Sequence, residues 1–274
     1  MIPALLWLVG ALAAPPAPPT PAAAPEAAYA AALIERAEGA GLADDPQWWA
    51  LLHYRQGTFG PYSEADGRGF FFAAEGHRDP HAELAATLRA LFRPAVAPPR
   101  DPQAIPPPAQ RHPQCNFPAR FAWLNARLGF DPARLPRQPC PGYDRWRHAL
   151  GATGATLVFA DAYLNSPASM YGHTFLRLDQ GRQGSPLLSY AVNFSAAAAN
   201  TGGLLYAVLG LTGGFDGYYS TTPYYMKVQE YSNVESRDLW EYRLALAPAE
   251  LERLVAHAWE LGSTTFDYYF FDEN

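Results

Sequence analysis

Residues 155–178 read ATLVFADAYLNSPASMYGHTFLRL. Two runs rich in apolar, β-branched and aromatic residues, 155–164 and 173–178, flank a segment of small and polar residues that ends in Gly172. This pattern predicts two strands joined by a loop, with His173 opening the second strand. Working outward, residues 187–194 and 239–246 predict two further strands, the last with clear alternation. Residues 202–217 read as a glycine-rich loop around an apolar stretch. Residues 248–262 predict an amphipathic helix with Pro248 at its start and Gly262 at its end. Leu251, Leu254, Val255 and Trp259 share one face of it. Several strands followed by a helix give an α+β domain, a small antiparallel sheet packed on helices.

Upstream of this domain the character differs. Residues 119–128 and 143–150 predict helices, the first with Phe121, Leu124 and Leu128 on one side. Residues 94–113 hold eight prolines and mark the clearest boundary in the chain. Before it, Leu33, Ile34, Trp48, Trp49, Leu51 and Leu52 are spaced for packed helices, and Asp79-Pro80 opens another. Residues 27–93 thus read as a small helical domain, with Phe70, Phe71 and Phe72 in its core. Residues 15–26 form an Ala/Pro-rich linker. Residues 1–14 carry no charged side chain and contain Ala11-Leu12-Ala13, the small-x-small form of a signal-peptidase site. No Lys or Arg precedes the apolar run, but its length suits a signal peptide and is too short for a spanning helix. The domain with the strands then covers 114–274 of an exported protein.

The 274 residues are 49% hydrophobic and 17% charged, enough apolar material for a sizeable core. A net charge of −6, with Lys227 the only lysine, argues against non-specific nucleic-acid binding, which depends on neutralising phosphates. Cys115 and Cys140 are the two cysteines, each beside prolines. In an exported chain an even count reads as one disulfide. As metal ligands they would need partners, and His112 is the only one nearby. No metal or cofactor is expected. The phosphate-binding, dinucleotide, zinc-protease and Gly-x-Ser-x-Gly signatures are all missing.

The histidine at 173 is the residue with the most chemical promise. It follows a glycine at the start of a strand, where a reactant has access, and imidazole titrates near neutrality. Spacing by itself favours a structural histidine held in a turn. Asn193, on the next strand, would stand beside His173 if the two strands pair, and would orient its ring. An asparagine that simply ends a strand fits as well. Tyr218, Tyr219, Tyr224 and Tyr225 form an aromatic cluster. With Tyr171, Tyr224 and Tyr225 are candidates to line an acyl or glycan groove, against the simpler reading of core packing.

Several blocks together resemble the Lnb N-terminal periplasmic domain family: 166–177 (SPASMYGHTFLR), 188–194 (LSYAVNF), 223–228 (PYYMKV), 237–242 (RDLWEY) and 266–274 (FDYYFFDEN). The stretch from Cys115 to Cys140 matches as well, and the resemblance covers roughly residues 110–274. The family in turn resembles circularly permuted papain-like thiol hydrolases. In that arrangement the histidine base comes first, at the start of a strand. The nucleophilic cysteine comes later, directly after an asparagine at a helix N-terminus, where its pKa is lowered. The resemblance implies that His173 is the base and Asn274 the residue before the nucleophile, so that this sequence is a fragment ending just short of it. It implies a Cys–His acyl-transfer enzyme of the periplasm of a Gram-negative bacterium. The donor would be a phospholipid acyl chain and the acceptor a lipoprotein, with membrane contact through a missing C-terminal region. A cell-wall peptidase or amidase of the same fold, and a non-enzymatic envelope domain, are the alternatives.

Overall fold

A computed structural model describes residues 23–67, 69–97, 99–101, 104–163, 171–181, 185–196 and 203–270. The N-terminal part contains α1 (Ala23–Gly39), α2 (Pro46–Leu52), β1 (Tyr54–Gly57), β2 (Gly60–Ser63) and α3 (Pro80–Ala90). Local chemistry sets these ends. Asp45 and Asp79 cap α2 and α3, each followed by a proline at the first helical position. The β1–β2 hairpin, four residues per strand, was not expected in a helical segment. Strands this short carry too little alternation to be read.

Next come α4 (Pro113–Asn116), α5 (Pro118–Leu128) and α6 (Pro141–Leu150), each begun by proline. Cys115 in α4 and Cys140 at the N-cap of α6 are joined by a disulfide. Although α5 lies beyond the proline-rich stretch, its Phe121, Trp123 and Leu124 share a core with Leu33, Trp48, Leu52, Leu84 and Leu88. Trp48 and Trp123 stack at 5.7 Å.

The remaining elements are β3 (Ala152–Ala160), β4 (His173–Gln180), β5 (Tyr190–Ala196), α7 (Gly203–Thr212), β6 (Phe215–Pro223), α8 (Tyr224–Val228), β7 (Leu239–Arg243), α9 (Pro248–Leu261) and β8 (Phe266–Tyr268). The class is α+β, as expected. The strands form one antiparallel sheet in the order β7-β3-β4-β5-β6-β8. Two expectations need correction. The stretch expected as a loop around 202–217 holds α7 and the start of β6. The reason is packing: Tyr206 and Leu209 of α7 lie on Phe215 and Phe270, a contact no local pattern announces. A Cβ at Gly210 would come within 2.0 Å of the Phe270 ring, so glycine lets the helix close on it. The strand expected from 187 begins at Tyr190, because residues 186–188 form a 3-10 turn whose first amide is capped by Ser185.

Helix α9 joins the two parts. Its Val255 and Ala258 pack on Leu178 and Val192 of the sheet, while Ala256 enters the N-terminal core. Leu261 meets Phe70, Phe117 and Phe266 in a further cluster. Burying such side chains contributes about 1.5–3 kcal/mol each. At the C-terminal end of the helix the fully buried Glu260 accepts the backbone amides of Ala119 (2.7 Å) and Arg120 (3.0 Å), capping α5 from outside the helix. Its other oxygen faces His257 Nδ1 at 3.1 Å, and His257 Nε2 lies 3.2 Å from His53 Nε2. Arg120 sits fully buried between the rings of Phe70 and Phe117, with Glu83 at 3.5 Å.

This core generates two expectations. The disulfide spans a sequence separation of 25, for which chain entropy gives about 3–4 kcal/mol. Reduction should therefore lower the unfolding midpoint, and alkylation of unreduced, exported protein should find no free thiol. The second concerns pH. Burial, followed by the charges of His257 and Arg120, pulls the His53 imidazole down to about 3. The unfolded chain protonates it near 6.5, so its contribution is complete above that value and is lost as pH falls towards 3. Glu83 and Asp66 are pushed up by burial and act with the opposite sign. The comparison is thus between wild type and His53→Asn, an exchange suited to the left-handed φ of 56° at this position. Wild type should lose stability between pH 7 and 4 more steeply than the variant, by on the order of a few kcal/mol, in urea titrations across that range.

Candidate functional site

The site grows from Gly172. Its φ of 91° is a left-handed conformation, and a Cβ there would stand 2.5 Å from the Phe159 ring and 3.0 Å from the Ala160 carbonyl. Only glycine can end the loop this close to β3. The next residue, His173, pairs with Ala160 at the very start of β4. Alternation then points His173, Phe175 and Arg177 to one face of the sheet, the face opposite α9.

Strand β5 runs back alongside β4 and presents Ala191, Asn193 and Ser195 to the same face. His173 Nε2 and Asn193 Oδ1 are 2.6 Å apart, and both residues are buried, 4% and 1% exposed. The amide orientation follows from its other end. Asn193 Nδ2 lies 3.2 Å from the Phe194 carbonyl, which can only accept, and also donates to Ser195 Oγ. The nitrogen is thereby assigned, so the oxygen faces the imidazole. An amide oxygen can only accept, hence Nε2 carries the proton that it donates to Asn193.

One wall of the site is aromatic. The Tyr231 ring lies 5.7 Å from His173 and 5.8 Å from Phe175. Tyr231 belongs to a π-helical turn, Gln229–Val234, that continues α8 and faces its side chain inward. Arg237 stacks on Tyr231 at 4.7 Å and donates to the carbonyls of Asp161 (2.5 Å) and Ala160 (3.0 Å), tying down the end of β3 opposite His173. Deeper on this face, Arg177 binds Asp179 (2.7 Å) and Glu241 (2.6 Å). Burial pulls its guanidinium down, but the hydrogen bonds to Glu241 and Asp179 outweigh that and raise it.

The sequence candidates fall in different places. His173 and Asn193 come together. Tyr171 and Tyr225 are half exposed. Tyr224 is corrected from a groove residue to a core residue: it is 2% exposed, and its hydroxyl donates to Glu241 at 2.6 Å. Burial and that hydrogen bond push it up to about 12. The reason is that the chain turns into α8 directly after β6, and the first residue of that helix points inward over Phe175. Asn274 and the segment 164–170 lie outside the described residues. β8 ends at Tyr268, paired with Phe215 at the start of β6, and so leaves the sheet at the end where β4 begins. Cys115 and Cys140 form their disulfide with α9 between them and the sheet. Among the described residues no group of three or more His, Cys, Asp or Glu is placed to hold a metal ion. Sequence reasoning missed Tyr231 and Arg237. Both lie in elements whose contacts with β3 and β4 are long-range, and no local signal marks them.

The fold and site define an α+β domain with an oriented histidine–asparagine pair on adjacent antiparallel strands. Residues 142–274 match the family model of the Lnb N-terminal periplasmic domain, which identifies this part of the chain as a domain of that kind. It is thus a periplasmic protein of the cell envelope. Residues 40–127 match a domain of unknown function (DUF7843). No curated protein and no solved structure matches the chain. No helix among the described residues is long and apolar enough to cross a membrane.

The assigned tautomer is measurable. In 15N-edited NMR at neutral pH, the His173 ring should show the Nε2–H form, with Asn193→Ala relaxing it towards a mixture. The variant should also lose about 1–3 kcal/mol, the cost of a buried donor left without its acceptor. An Nδ1–H ring in the wild type would contradict the amide orientation.

Proposed function

We propose that this chain carries the base of a thiol-dependent acyl-transfer enzyme of the cell envelope. The observation that carries the reading is the 2.6 Å contact from His173 Nε2 to Asn193 Oδ1. A base of a cysteine nucleophile needs its ring held in one tautomer and one orientation, and a neutral amide does this without adding charge. The nucleophile in this reading is a cysteine directly after Asn274, at the start of a helix that would continue from the end of β8. The cysteines at 115 and 140 are unsuited, being joined to each other.

His173 Nδ1 takes the thiol proton, and the thiolate attacks the ester carbonyl of a phospholipid acyl chain. The ester C–O bond breaks, the leaving alkoxide takes the proton back from the imidazolium, and an acyl thioester remains. The amine of a lipoprotein acceptor then attacks the thioester carbonyl, passing its proton through His173 to the departing thiolate. The aromatic wall at Tyr231 and Phe175 keeps one side of the ring dry. The lipid donor and lipoprotein acceptor rest on the resemblance to the family.

The test uses the longer protein. If the residue after Asn274 is cysteine, that protein should be acylated by an activated lipid ester. Its His173→Gln variant should react about 100-fold to 10,000-fold more slowly, with circular dichroism showing that it remains folded. The chain of 274 residues should not be labelled. A residue other than cysteine at the next position, or labelling unaffected by His173→Gln, overturns the proposal.

A further inference from the structure

The proline-rich stretch 94–113 lies within the segment that matches DUF7843 and does more than connect helices. Its described residues border a half-open pocket of about 210 Å³ beside the disulfide, lined by Val96, Pro106, Pro139, Tyr143 and Trp259 together with the Cys115–Cys140 bridge. Its volume exceeds that of the ~150 Å³ apolar cavity known to take up benzene. The cavity is fixed on its sides. The Trp259 indole is held by a hydrogen bond from its Nε1 to the Cys115 carbonyl at 2.9 Å. Tyr143 packs against the same indole at 5.6 Å.

One cation stands in this apolar wall. The Arg111 guanidinium lies 4.2 Å over the Trp259 ring. Its Nε donates to the Pro106 carbonyl at 2.7 Å, and one Nη1 hydrogen to Asn116 Oδ1 at 3.4 Å. A guanidinium carries five N–H donors, so three remain beyond these two. Among the described residues no carboxylate pairs with it, in contrast to Arg120, Arg177 and Arg237. Burial pulls Arg111 down to about 10, with no neighbouring charge acting against it. The first turn of α6, whose N-cap Cys140 supplies no side-chain acceptor, borders the same space. A half-buried cation with no carboxylate partner among the described residues, set in a concave aromatic and proline wall, is complementary to a ligand that is apolar over most of its surface and anionic at one end.

We infer that this cavity is a binding site for a small apolar carboxylate, with Arg111 pairing the carboxylate and Trp259 and Tyr143 enclosing the apolar body. The site lies on the disulfide side of α9, away from the His173 face of the sheet, and its existence does not depend on the acyl-transfer reading. Either a free acid or the C-terminal residue of a peptide supplies such a group.

The experiment titrates the intact, oxidised protein by calorimetry with benzoate and with benzamide, its uncharged isostere. Benzoate should bind saturably at one site. Benzamide should bind about tenfold or more weakly, as expected when a charge-assisted hydrogen bond is lost. Arg111→Met should reduce benzoate affinity by a similar factor. Should Arg111→Met fail to fold, the benzoate–benzamide comparison in wild-type protein still decides. Arg111→Lys, which keeps the charge but not the planar stack, should bind benzoate more weakly than wild type while still preferring it to benzamide. N-acetyl-phenylalanine against its amide separates the two sources: tighter binding than benzoate assigns a peptide C-terminus, weaker binding a free acid. Equal affinity for benzoate and benzamide, or no saturable binding of benzoate at millimolar concentration, overturns the inference.

Discussion

The carboxylate of Glu260 is the constraint on which the two parts of the molecule depend. It lies fully buried at the end of α9 and accepts the first free amides of α5, more than a hundred residues away in sequence. So polar a group in that position is tolerable only because it is hydrogen-bonded on both oxygens. Those bonds set the angle between α9 and α5. Once they are set, Val255 and Ala258 face the sheet and Ala256 faces the N-terminal core. Arg120, stacked between Phe70 and Phe117, is then placed beside Glu83 and extends the same polar network into α3. Removing one member would leave another charge buried without a partner, so the network behaves as a unit.

The same helix decides which face of the sheet holds the chemistry. Because α9 covers one face, the residues alternating to the other face are left to be enclosed by smaller elements: α8, the π-helical turn and Arg237. A short, locally irregular cover of this kind suits a site better than a long helix does. It brings Tyr231 against His173 at the start of β4. The N-terminal segment closes the far edge of the sheet as well. Ala65 bridges Phe266, and Asp66 donates its amide to Thr265, so β8 is not left as an open edge.

Much of the architecture was legible in the sequence. The alternation of 239–246, the proline starts of α3 and α9, and Gly172 before His173 each report a local physical requirement. The pairing of Cys115 with Cys140 followed from their number and compartment. The partnership of His173 with Asn193 depended on one assumption, that their strands are neighbours, and the sheet order meets it. Helix α7 was misread because its glycines and apolar residues fit a loop as well as a helix until Phe270 is packed on it.

The sequence by itself determined most of the element types, though not the β1–β2 hairpin or α7, and with them the α+β class and the family resemblance, because periodicity, capping residues and turn glycines act over a few neighbouring positions. Only the tertiary structure decided which face each side chain occupies relative to distant strands. It moved Tyr224 from groove to core, brought Tyr231 and Arg237 to His173, and set Arg111 against Trp259 with no carboxylate partner among the described residues. The physical reason is that register and helix placement are set by the total burial of apolar surface and by buried polar groups finding partners. Those conditions hold over the whole chain, and no window of sequence contains them.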